Sequence, residues 1–200
     1  KPAICADPEP PQSLLDHAAA IGADLKLLGR DFSCSADDNR WDYRAGVTPG
    51  LRGLPLPGLR GACQLRNAAA VVAVIDALKA RLPVAEECIR RGLVKVELAG
   101  RFQIWPGRPP VVFDVAHNPQ AVAGLAENLD AMGAFEQTIA VVGMLVDKDI
   151  SGALSALAGK IDVWLLAGLD VPRGAPASLL ASVVADGKLG GRVECFASPD

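Results

Sequence analysis

The strongest constraint on the fold is a regular alternation of strand-like and helix-like segments in the second half of the chain. The strand-like segments are short and apolar, and they span residues 111–115, 138–144, 163–169 and 192–196. The segments between them repeat apolar side chains at helical spacing, and they span residues 120–132, 150–158 and 177–185. Four strands separated by three helices predict an α/β fold with a parallel sheet and right-handed crossovers.

The first half of the chain is less regular. Its predicted elements are strands at residues 3–6, 24–28 and 41–44, the last of them exposed, and helices at residues 12–21, 66–82 and 85–91. Residues 46–61 are rich in glycine and in proline, including Pro49, and this composition predicts a loop-rich connector. Residues 98–110 have a similar composition, so we place a domain boundary there and predict domains at residues 1–99 and 100–200.

Composition argues against several classes of partner. The 200 residues carry a net charge of -3, which offers no basic surface to nucleic acid or to an anionic membrane. The longest apolar run, at residues 68–77, is too short to span a bilayer. Five scattered cysteines without a CxxC pair indicate reduced thiols in a cytoplasmic protein. The chain starts at Lys1, within a strand-like segment and without a signal peptide, so we expect it to be a piece of a longer protein.

A group of polar residues follows the first strand of the predicted sheet. Asp114, His117 and Asn118 lie between the strand at residues 111–115 and the next helix, with Pro119 at the helix start. In an open α/β sheet, ligands bind at the carboxyl ends of the strands. Asp114 can bind ribose hydroxyls or orient a cation, and the histidine can titrate or donate a hydrogen bond. The alternative is that Asp114 or Asn118 only caps the helix.

Two further polar loops are predicted at the same edge of the sheet. Residues 143–149 include Lys148 and Asp149, and residues 171–176 include Arg173. Asp149 can be a simple helix cap and Lys148 a solvated charge, while Arg173 can hold an anion or belong to a plain turn. Three polar loops at one edge nevertheless favour a ligand site more strongly than any one of them alone.

Two residues outside these loops are also candidates. Arg101 lies at the domain boundary, where its guanidinium can reach a phosphate, stack on an aromatic base or form an interdomain salt bridge. Asn67 lies near the start of the long helix and can cap that helix or bind a ligand. The sequence contains no GxxxxGK[ST] loop, no GxGxxG fingerprint and no cluster of metal ligands. We therefore predict no metal site in this chain and no phosphoryl transfer by these residues alone.

Several segments, in this order, resemble the bifunctional dihydrofolate synthase/folylpolyglutamate synthase family, a branch of the Mur ligase superfamily. The most specific are Gly100-Arg101-Phe102-Gln103 and Phe113-Asp114-Val115-Ala116-His117-Asn118-Pro119, and the others are residues 1–4, 66–69, 142–149 and 172–175. The resemblance implies that residues 1–99 are the last part of a P-loop-type α/β central domain. It implies that residues 100–200 are a Rossmann-like, mostly parallel carboxy-terminal domain that lacks its final segment.

The same resemblance implies an activity and a set of site residues. Enzymes of this family use ATP and Mg²⁺ to add L-glutamate to dihydropteroate or folates through an acyl phosphate. Asn67, Arg101 and Asp114 match ATP-contacting positions, and His117 matches a catalytic histidine near the glutamate and the acyl phosphate. The P-loop and the Mg²⁺ ligands are expected in an amino-terminal part outside this chain, so the fragment alone is expected to be inactive. The family also implies a monomer.

Three other interpretations remain. A Mur ligase of peptidoglycan synthesis shares the architecture and the chemistry, although the two most specific segments argue against it. A non-catalytic nucleotide-sensing or interaction module would need no P-loop. A dehydrogenase is disfavoured because the dinucleotide glycine fingerprint is absent from the sequence.

Overall fold

The computed structural model describes residues 1–46 and 50–199, and its contacts divide the chain into two units, Lys1–Ala99 and Gly100–Asp200. The elements of the first unit are β1 (Pro2–Cys5), α1 (Gln12–Ala20), β2 (Asp24–Leu27), β3 (Phe32–Ala36), β4 (Arg40–Ala45), β5 (Leu51–Pro55), α2 (Ala62–Leu78) and α3 (Glu86–Lys95). Strands β1 and β2 pair in parallel, and β3, β4 and β5 form an antiparallel sheet with β4 in the centre.

The core of the first unit lies between α2 and the antiparallel sheet. The buried face of α2 carries small and β-branched side chains, namely Ala68, Ala69, Val72 and Ala73. These residues let the helix approach the aromatic side chains of β3 and β4 closely, so that the two layers interdigitate. Leu93 of α3 and Leu54 of β5 complete the same cluster.

Two predictions for this sheet were wrong. The strand at residues 41–44 is central rather than exposed, and the side chain of Trp41 is only 1% exposed. The side chains of Trp41 and Tyr43 both point toward α2, because alternate side chains of a strand point to the same face. The predicted connector contains β5, whose backbone pairs with β4 despite the nearby prolines. Pro49, part of that prediction, lies outside the described residues.

Burial of Tyr43 yields a test of this core. Desolvation raises the pKa of the Tyr43 phenol from 10.0 to about 12, and the charge of Asp76 adds to the effect. A raised pKa means that folding favours the neutral phenol, so this stabilisation is complete below pH 10 and is lost as the pH rises through about 12. The loss amounts to about 2–3 kcal/mol.

The measurement is direct because Tyr43 is the single tyrosine of the sequence. Ultraviolet absorbance of the phenolate should titrate near pH 12 in the folded protein. The variant Tyr43→Phe keeps the ring packing but has no phenol that can ionise. Its free energy of unfolding should therefore not decrease in this way over the same pH range. A phenolate midpoint near pH 10 in protein that is still folded would contradict the burial of this side chain.

The second unit contains the expected parallel sheet. Its elements are β6 (Gln103–Trp105), β7 (Val111–Phe113), α4 (Pro119–Ala131), β8 (Ile139–Val142), α5 (Ile150–Ser155), β9 (Val163–Ala167), α6 (Ala177–Asp186) and β10 (Arg192–Phe196). Strand β9 lies between β8 and β10, and all three are parallel, with Val163 opposite Ile139 and Arg192. The buried side chains of Trp164 and Leu166 project from β9 into the cluster formed with the helices. The α/β fold class predicted from the sequence is thereby confirmed.

One strand departs from the predicted four-stranded arrangement. Strand β7 pairs antiparallel with β6, as Gln103 opposes Phe113 and Trp105 opposes Val111. The proline-rich turn between the two strands reverses the direction of the chain, so that β6 and β7 form a hairpin. The alternation of strands and helices in the sequence instead predicts that this segment belongs to the parallel sheet. The hairpin brings Arg101 and Asp114, thirteen positions apart in the sequence, to the same end of the two strands.

Two helices of the first unit also differ from the prediction in their boundaries. Helix α2 begins four residues earlier than predicted and ends at Leu78. Helix α3 continues through Gly92 to Lys95. A single glycine costs a helix only about 1 kcal/mol, and the burial of Leu93 one residue later offsets that cost. Among the described residues, no helix has both the length and the apolar character that a membrane span requires.

Candidate functional site

The carboxylate of Asp114 is the structural centre of the candidate site. One carboxylate oxygen accepts a hydrogen bond from the backbone N–H of Phe102 at 2.8 Å, and the other accepts one from the N–H of Ala116 at 2.7 Å. Asp114 therefore ties the start of the second unit to the segment that leads into α4. The side chain is half-buried, and a carboxylate accepts more than two hydrogen bonds, so the unused lone pairs remain available to a ligand.

Arg101 lies directly before the residue that Asp114 anchors. Phe102 is buried and adopts a left-handed backbone conformation, with a φ of 44°, which is uncommon for a bulky residue. Such a conformation persists only where its surroundings hold it, and the N–H of Phe102 is held by Asp114. The guanidinium of Arg101 is exposed and makes no hydrogen bond or ion pair within the described parts of the chain. The unpaired cation of Arg101 is thus carried on the residue directly before the N–H that Asp114 binds.

His117 lies on the exposed side of the same segment. Its Nδ1 atom is 2.9 Å from the carbonyl oxygen of Val115, and the tautomer that donates this hydrogen bond leaves Nε2 without a proton. Asn118 caps α4, because its side-chain oxygen accepts a hydrogen bond from the N–H of Ala121 at 2.8 Å. Asn118 is therefore a helix cap, as one of the two interpretations of the sequence predicts, whereas the Asp114 carboxylate binds backbone N–H groups outside the helix. His117 remains free to contact a ligand through Nε2.

The loops after β8 and β9 are joined to each other. We call them the two-loop bracket, defined as residues 143–149 and 171–176. The N–H of Val146 donates to the carbonyl oxygen of Arg173 at 2.8 Å, and the N–H of Ala175 donates to that of Met144 at 2.9 Å. These bonds cross-link two loops that follow neighbouring parallel strands, so the bracket is fixed at the carboxyl edge of the sheet.

Charged side chains reinforce the two-loop bracket. Arg173 forms a two-point ion pair with Asp147 across it, with Nε 3.1 Å from Oδ1 and Nη2 bonded to Oδ2. The hydrogen bond from Arg173 lowers the pKa of the Asp147 carboxyl below its usual value, and Asp147 raises the pKa of Arg173. The prediction that Asp149 caps a helix agrees with its hydrogen bond to the N–H of Gly152, at 2.8 Å.

The loop that carries Asp114 and His117 meets the bracket at the starts of α4 and α5. A Cβ atom added to Gly152 of α5 would lie 2.7 Å from Cγ of Pro119, the first residue of α4. This approach requires glycine at residue 152, because any larger side chain would overlap the proline ring. Polar loops after β7, β8 and β9 thus share one edge of the second unit.

Asn67 belongs to the first unit and lies on the exposed side of α2. Its amide nitrogen donates to Oε1 of Gln64 at 3.2 Å, and both residues line a groove of about 330 Å³ between α2 and α3. The other lining side chains are mostly aliphatic, including Val71, Ile75 and Val84. Sequence reasoning missed this groove and Gln64. The repeat of apolar residues along α2 was the available signal, but the opposing wall comes from α3, through tertiary packing.

The family follows from a comparison with known proteins. Residues 100–200 match the family model of the Mur ligase glutamate ligase domain, which covers half of the chain. The chain belongs to the Mur ligase family. The matched region contains Arg101, Asp114, His117 and the two-loop bracket, so every candidate residue of the second unit lies inside the Mur ligase domain. Asn67 lies outside the matched region.

Similar curated proteins identify the branch of the Mur ligase family. The dihydrofolate synthase/folylpolyglutamate synthase of Escherichia coli K12 is 39% identical over 188 residues, which are 94% of this chain and 43% of that protein. The protein of the same name from Haemophilus influenzae is 31% identical over 82% of this chain and 40% of its own length. The resemblance to the carboxy-terminal part of this branch is confirmed. This Mur ligase chain spans less than half the length of these relatives.

Solved structures support the same fold. Escherichia coli FolC in complex with DHPP and ADP has a TM-score of 0.85 and 37% identity, covering 98% of this chain and 45% of that one. A bifunctional folylpolyglutamate synthase/dihydrofolate synthase from Yersinia pestis, complexed with AMPPNP and a Mn ion, has a TM-score of 0.82 and 36% identity. The similarity covers 98% of this Mur ligase chain and 45% of the Yersinia pestis chain.

Proposed function

We propose that this chain is part of an ATP-dependent ligase that adds L-glutamate to dihydropteroate, to folates or to both. In this proposal residues 1–99 are the last part of the ATPase-like central domain, and residues 100–200 are the Rossmann-like carboxy-terminal domain. The observation that carries the proposal is the pair formed by the anchored Asp114 carboxylate and the unpaired Arg101 guanidinium, within a matched Mur ligase domain. Relatives of the same branch, more than twice as long, support the substrate class.

The chemistry of the two residues suits a nucleotide. A half-buried carboxylate with unused lone pairs accepts hydrogen bonds from ribose hydroxyls, and we assign this contact to Asp114. The guanidinium of Arg101 presents several donors to phosphate oxygens and remains charged at every relevant pH. Because Asp114 also holds the backbone beside Arg101, the two residues form one unit in which the position of the cation depends on the carboxylate.

The groove beside Asn67 supports an adenine contact in the first unit. Its aliphatic walls suit the faces of a purine, and the amides of Asn67 and Gln64 offer a donor and an acceptor for its polar edge. We therefore propose Asn67 as a nucleotide-binding residue. Gln64 lies within hydrogen-bonding distance of its amide and positions it.

The proposed reaction has two steps. A carboxylate oxygen of the pteroate or folate attacks the γ-phosphorus of ATP, the bond to the bridging oxygen breaks and ADP leaves. The free amine of L-glutamate then attacks the acyl carbon and loses a proton, and the tetrahedral intermediate expels phosphate to leave an amide. We assign His117 to this second step, because Nε2 of the tautomer that donates from Nδ1 can accept a hydrogen bond or a proton from the amine.

Mg²⁺ would offset the charge of the phosphate groups during transfer. No group of three or more His, Cys, Asp or Glu side chains in the described ranges is arranged to hold a metal ion. We therefore assign no Mg²⁺ ligand to this chain. All five cysteines are free, which fits the proposal of a protein from a reducing cytoplasm, and we propose that it acts as a monomer.

Two other functions share parts of this evidence. A peptidoglycan Mur ligase would use the same fold and the same ATP chemistry, but the similar proteins reported above are named for folate substrates. A non-catalytic nucleotide-sensing module would bind ATP without consuming it. Acceptor specificity separates the first alternative from the proposal, and turnover of ATP separates the second.

Replacement of Arg101 tests the nucleotide contact. In the full-length ligase, Arg101→Ala should raise the KM for ATP by roughly 10- to 100-fold, the cost of a hydrogen bond to a charged group. Arg101→Lys should recover part of this loss, because the ammonium keeps the charge but not the planar set of donors. Steady-state kinetics at varied ATP concentration measure both effects.

Arg108→Ala is the matched control. Arg108 is also exposed, but it lies in the turn at the opposite end of the β6–β7 hairpin from Arg101. This variant should leave the KM for ATP within about twofold of the wild-type value, as surface substitutions usually do. The assignment of Arg101 fails if its alanine variant behaves like the Arg108 variant.

A further inference from the structure

The side chain of Gln103 has no part in the proposed reaction so far, yet it closes the turn that carries Arg101. Its amide oxygen Oε1 accepts a hydrogen bond from the backbone N–H of Gly100 at 3.1 Å. Gln103 is the first residue of β6, so its own backbone is fixed by the pairing of β6 with β7. Asp114 directly follows β7 at the same end of the hairpin. The two strands therefore each supply one side-chain acceptor to this turn.

Each of the three successive peptide groups around Arg101 is held by one hydrogen bond. The first group, before Gly100, donates to Gln103, and the second accepts from the N–H of Val115 at 2.9 Å. The third group, after Arg101, donates to Asp114 at 2.8 Å. Because peptide groups are planar, holding the first two fixes the dihedral angles of Gly100, and holding the last two fixes those of Arg101.

The conformation of Gly100 needs a restraint from another residue. Its φ is 69°, in the left-handed region that glycine enters without steric cost and leaves as readily. A Cβ atom at residue 100 would lie 2.7 Å from Cγ1 of Val115, so a side chain at this residue cannot supply the restraint. The amide oxygen of Gln103 supplies it instead, by holding the peptide group in front of Gly100.

The exposure of Gln103 separates positioning from stability. Its side chain is exposed, so water can accept the hydrogen bond of the Gly100 N–H when the amide is removed. Removal of the amide should therefore cost little folding free energy, because no buried polar group is left without a partner. A water molecule is not attached to β6, however, so the turn would no longer hold Arg101 in one place.

We propose that Gln103 is a positioning residue for the nucleotide contact of Arg101, and that its amide oxygen fixes the conformation of Gly100 and thereby the direction of the guanidinium. This inference rests on the proposed function, in which Arg101 binds the phosphates of ATP. It adds a residue that acts without touching the nucleotide, so its effect depends on the presence of the Arg101 side chain.

The test measures the KM for ATP, the KM for L-glutamate and kcat in the full-length ligase. Gln103→Met keeps the length of the side chain but removes the amide oxygen. It should raise the KM for ATP about three- to tenfold, the usual worth of one hydrogen bond. The KM for L-glutamate should stay within about twofold of the wild-type value, with the urea midpoint of unfolding unchanged. Gln103→Ala supplies a second variant should the methionine side chain disturb the hairpin.

Combination with Arg101→Ala shows whether the effect passes through the guanidinium. Adding Gln103→Met to the Arg101→Ala ligase should change the KM for ATP by less than about 1.5-fold, because the positioned group is already absent. An equal rise in the KM for ATP in both backgrounds would overturn the inference, since Gln103 would then act on the nucleotide independently of Arg101. A lowered urea midpoint with equal rises in both KM values would also overturn it, since Gln103 would then act only through folding.

Gln137→Met is the matched control. Gln137 is an exposed glutamine of the same unit, and it precedes β8 at the amino end of the parallel sheet, away from the candidate site. This variant should leave kcat and both KM values unchanged. A Gln103→Met ligase that behaves like the Gln137 variant, while the wild type ligates glutamate, overturns the inference alone. Absence of ATP-dependent glutamate incorporation by the wild-type ligase would instead overturn the proposed function itself.

Discussion

Asp114→Ala in the full-length ligase is expected to lower kcat/KM for ATP by roughly 100-fold, the size of effect that a displacement of about 1 Å has at a positioned site. Two losses combine in this variant. The ribose hydroxyls lose their acceptor, and the N–H groups of Phe102 and Ala116 lose theirs. Phe102 is held at a positive φ, so release of its N–H lets the backbone relax and moves Arg101 away from the phosphates.

Asp114→Asn separates the two contributions. The amide oxygen can accept one of the two backbone hydrogen bonds, while the amide NH₂ faces the other donor. This variant should therefore lie between the wild type and the alanine variant in kcat/KM for ATP. The measurement is steady-state kinetics at saturating glutamate and acceptor, combined with equilibrium binding of ATP.

Asp162→Ala is the control for a purely structural carboxylate. Asp162 also accepts a hydrogen bond from a backbone N–H, that of Thr138, at 2.7 Å. It precedes β9 and therefore lies at the amino end of the sheet, opposite the candidate site. Its loss should lower stability and leave the KM for ATP unchanged. Equal kinetic effects of the two substitutions would show that Asp114 acts only through folding.

Gly174→Ala should destabilise the second unit by about 1–3 kcal/mol, the usual cost of forcing an extra carbon into a packed site. A Cβ atom at residue 174 would overlap the carbonyl oxygen of Leu169, which belongs to the backbone and cannot rotate away. Residue 174 must then shift away from Leu169 within the loop after β9, and this shift strains its backbone bridge to Leu145. Urea unfolding monitored by the buried Trp164 measures the change.

Gly124→Ala provides the opposite result as a control. Gly124 lies within α4 and nothing approaches within 4 Å of the position of an added Cβ atom. The substitution should raise stability by about 0.5–1 kcal/mol, because alanine loses less entropy than glycine in a helix. If both alanine variants were equally stable, the close approach at residue 174 would not exist as described.

Local signals made part of the site predictable from sequence. Asn118 and Pro119 mark the start of α4 by themselves, and the apolar runs fix three neighbouring parallel strands. The polar residues after these strands are then expected at one edge of the sheet. The assignment of roles to Asn67, Arg101, Asp114 and His117 came from the family resemblance and remains a proposal.

Long-range contacts made the rest unpredictable. The ion pair of Arg173 with Asp147 joins residues 26 positions apart, and only the packing of two loops brings them together. The β6–β7 hairpin depends on a proline-rich turn that reverses the direction of the chain. The local periodicity of apolar residues does not predict this reversal. The anchoring of Phe102 by Asp114 depends on that hairpin in turn. Periodicity therefore predicts which elements form, whereas their side-chain partners are fixed by tertiary structure.

Ligation of glutamate is the most direct measurement of the central claim. The full-length ligase is incubated with ATP, Mg²⁺, L-glutamate and either dihydropteroate, a reduced folate or the nucleotide-linked muramyl acceptor of peptidoglycan synthesis. The proposal predicts a product, identified by mass spectrometry, in which dihydropteroate or the folate has gained a glutamyl residue, with one ADP and one phosphate released per bond. Ligation to the muramyl acceptor alone, or ATP binding without any ligated product, would contradict it.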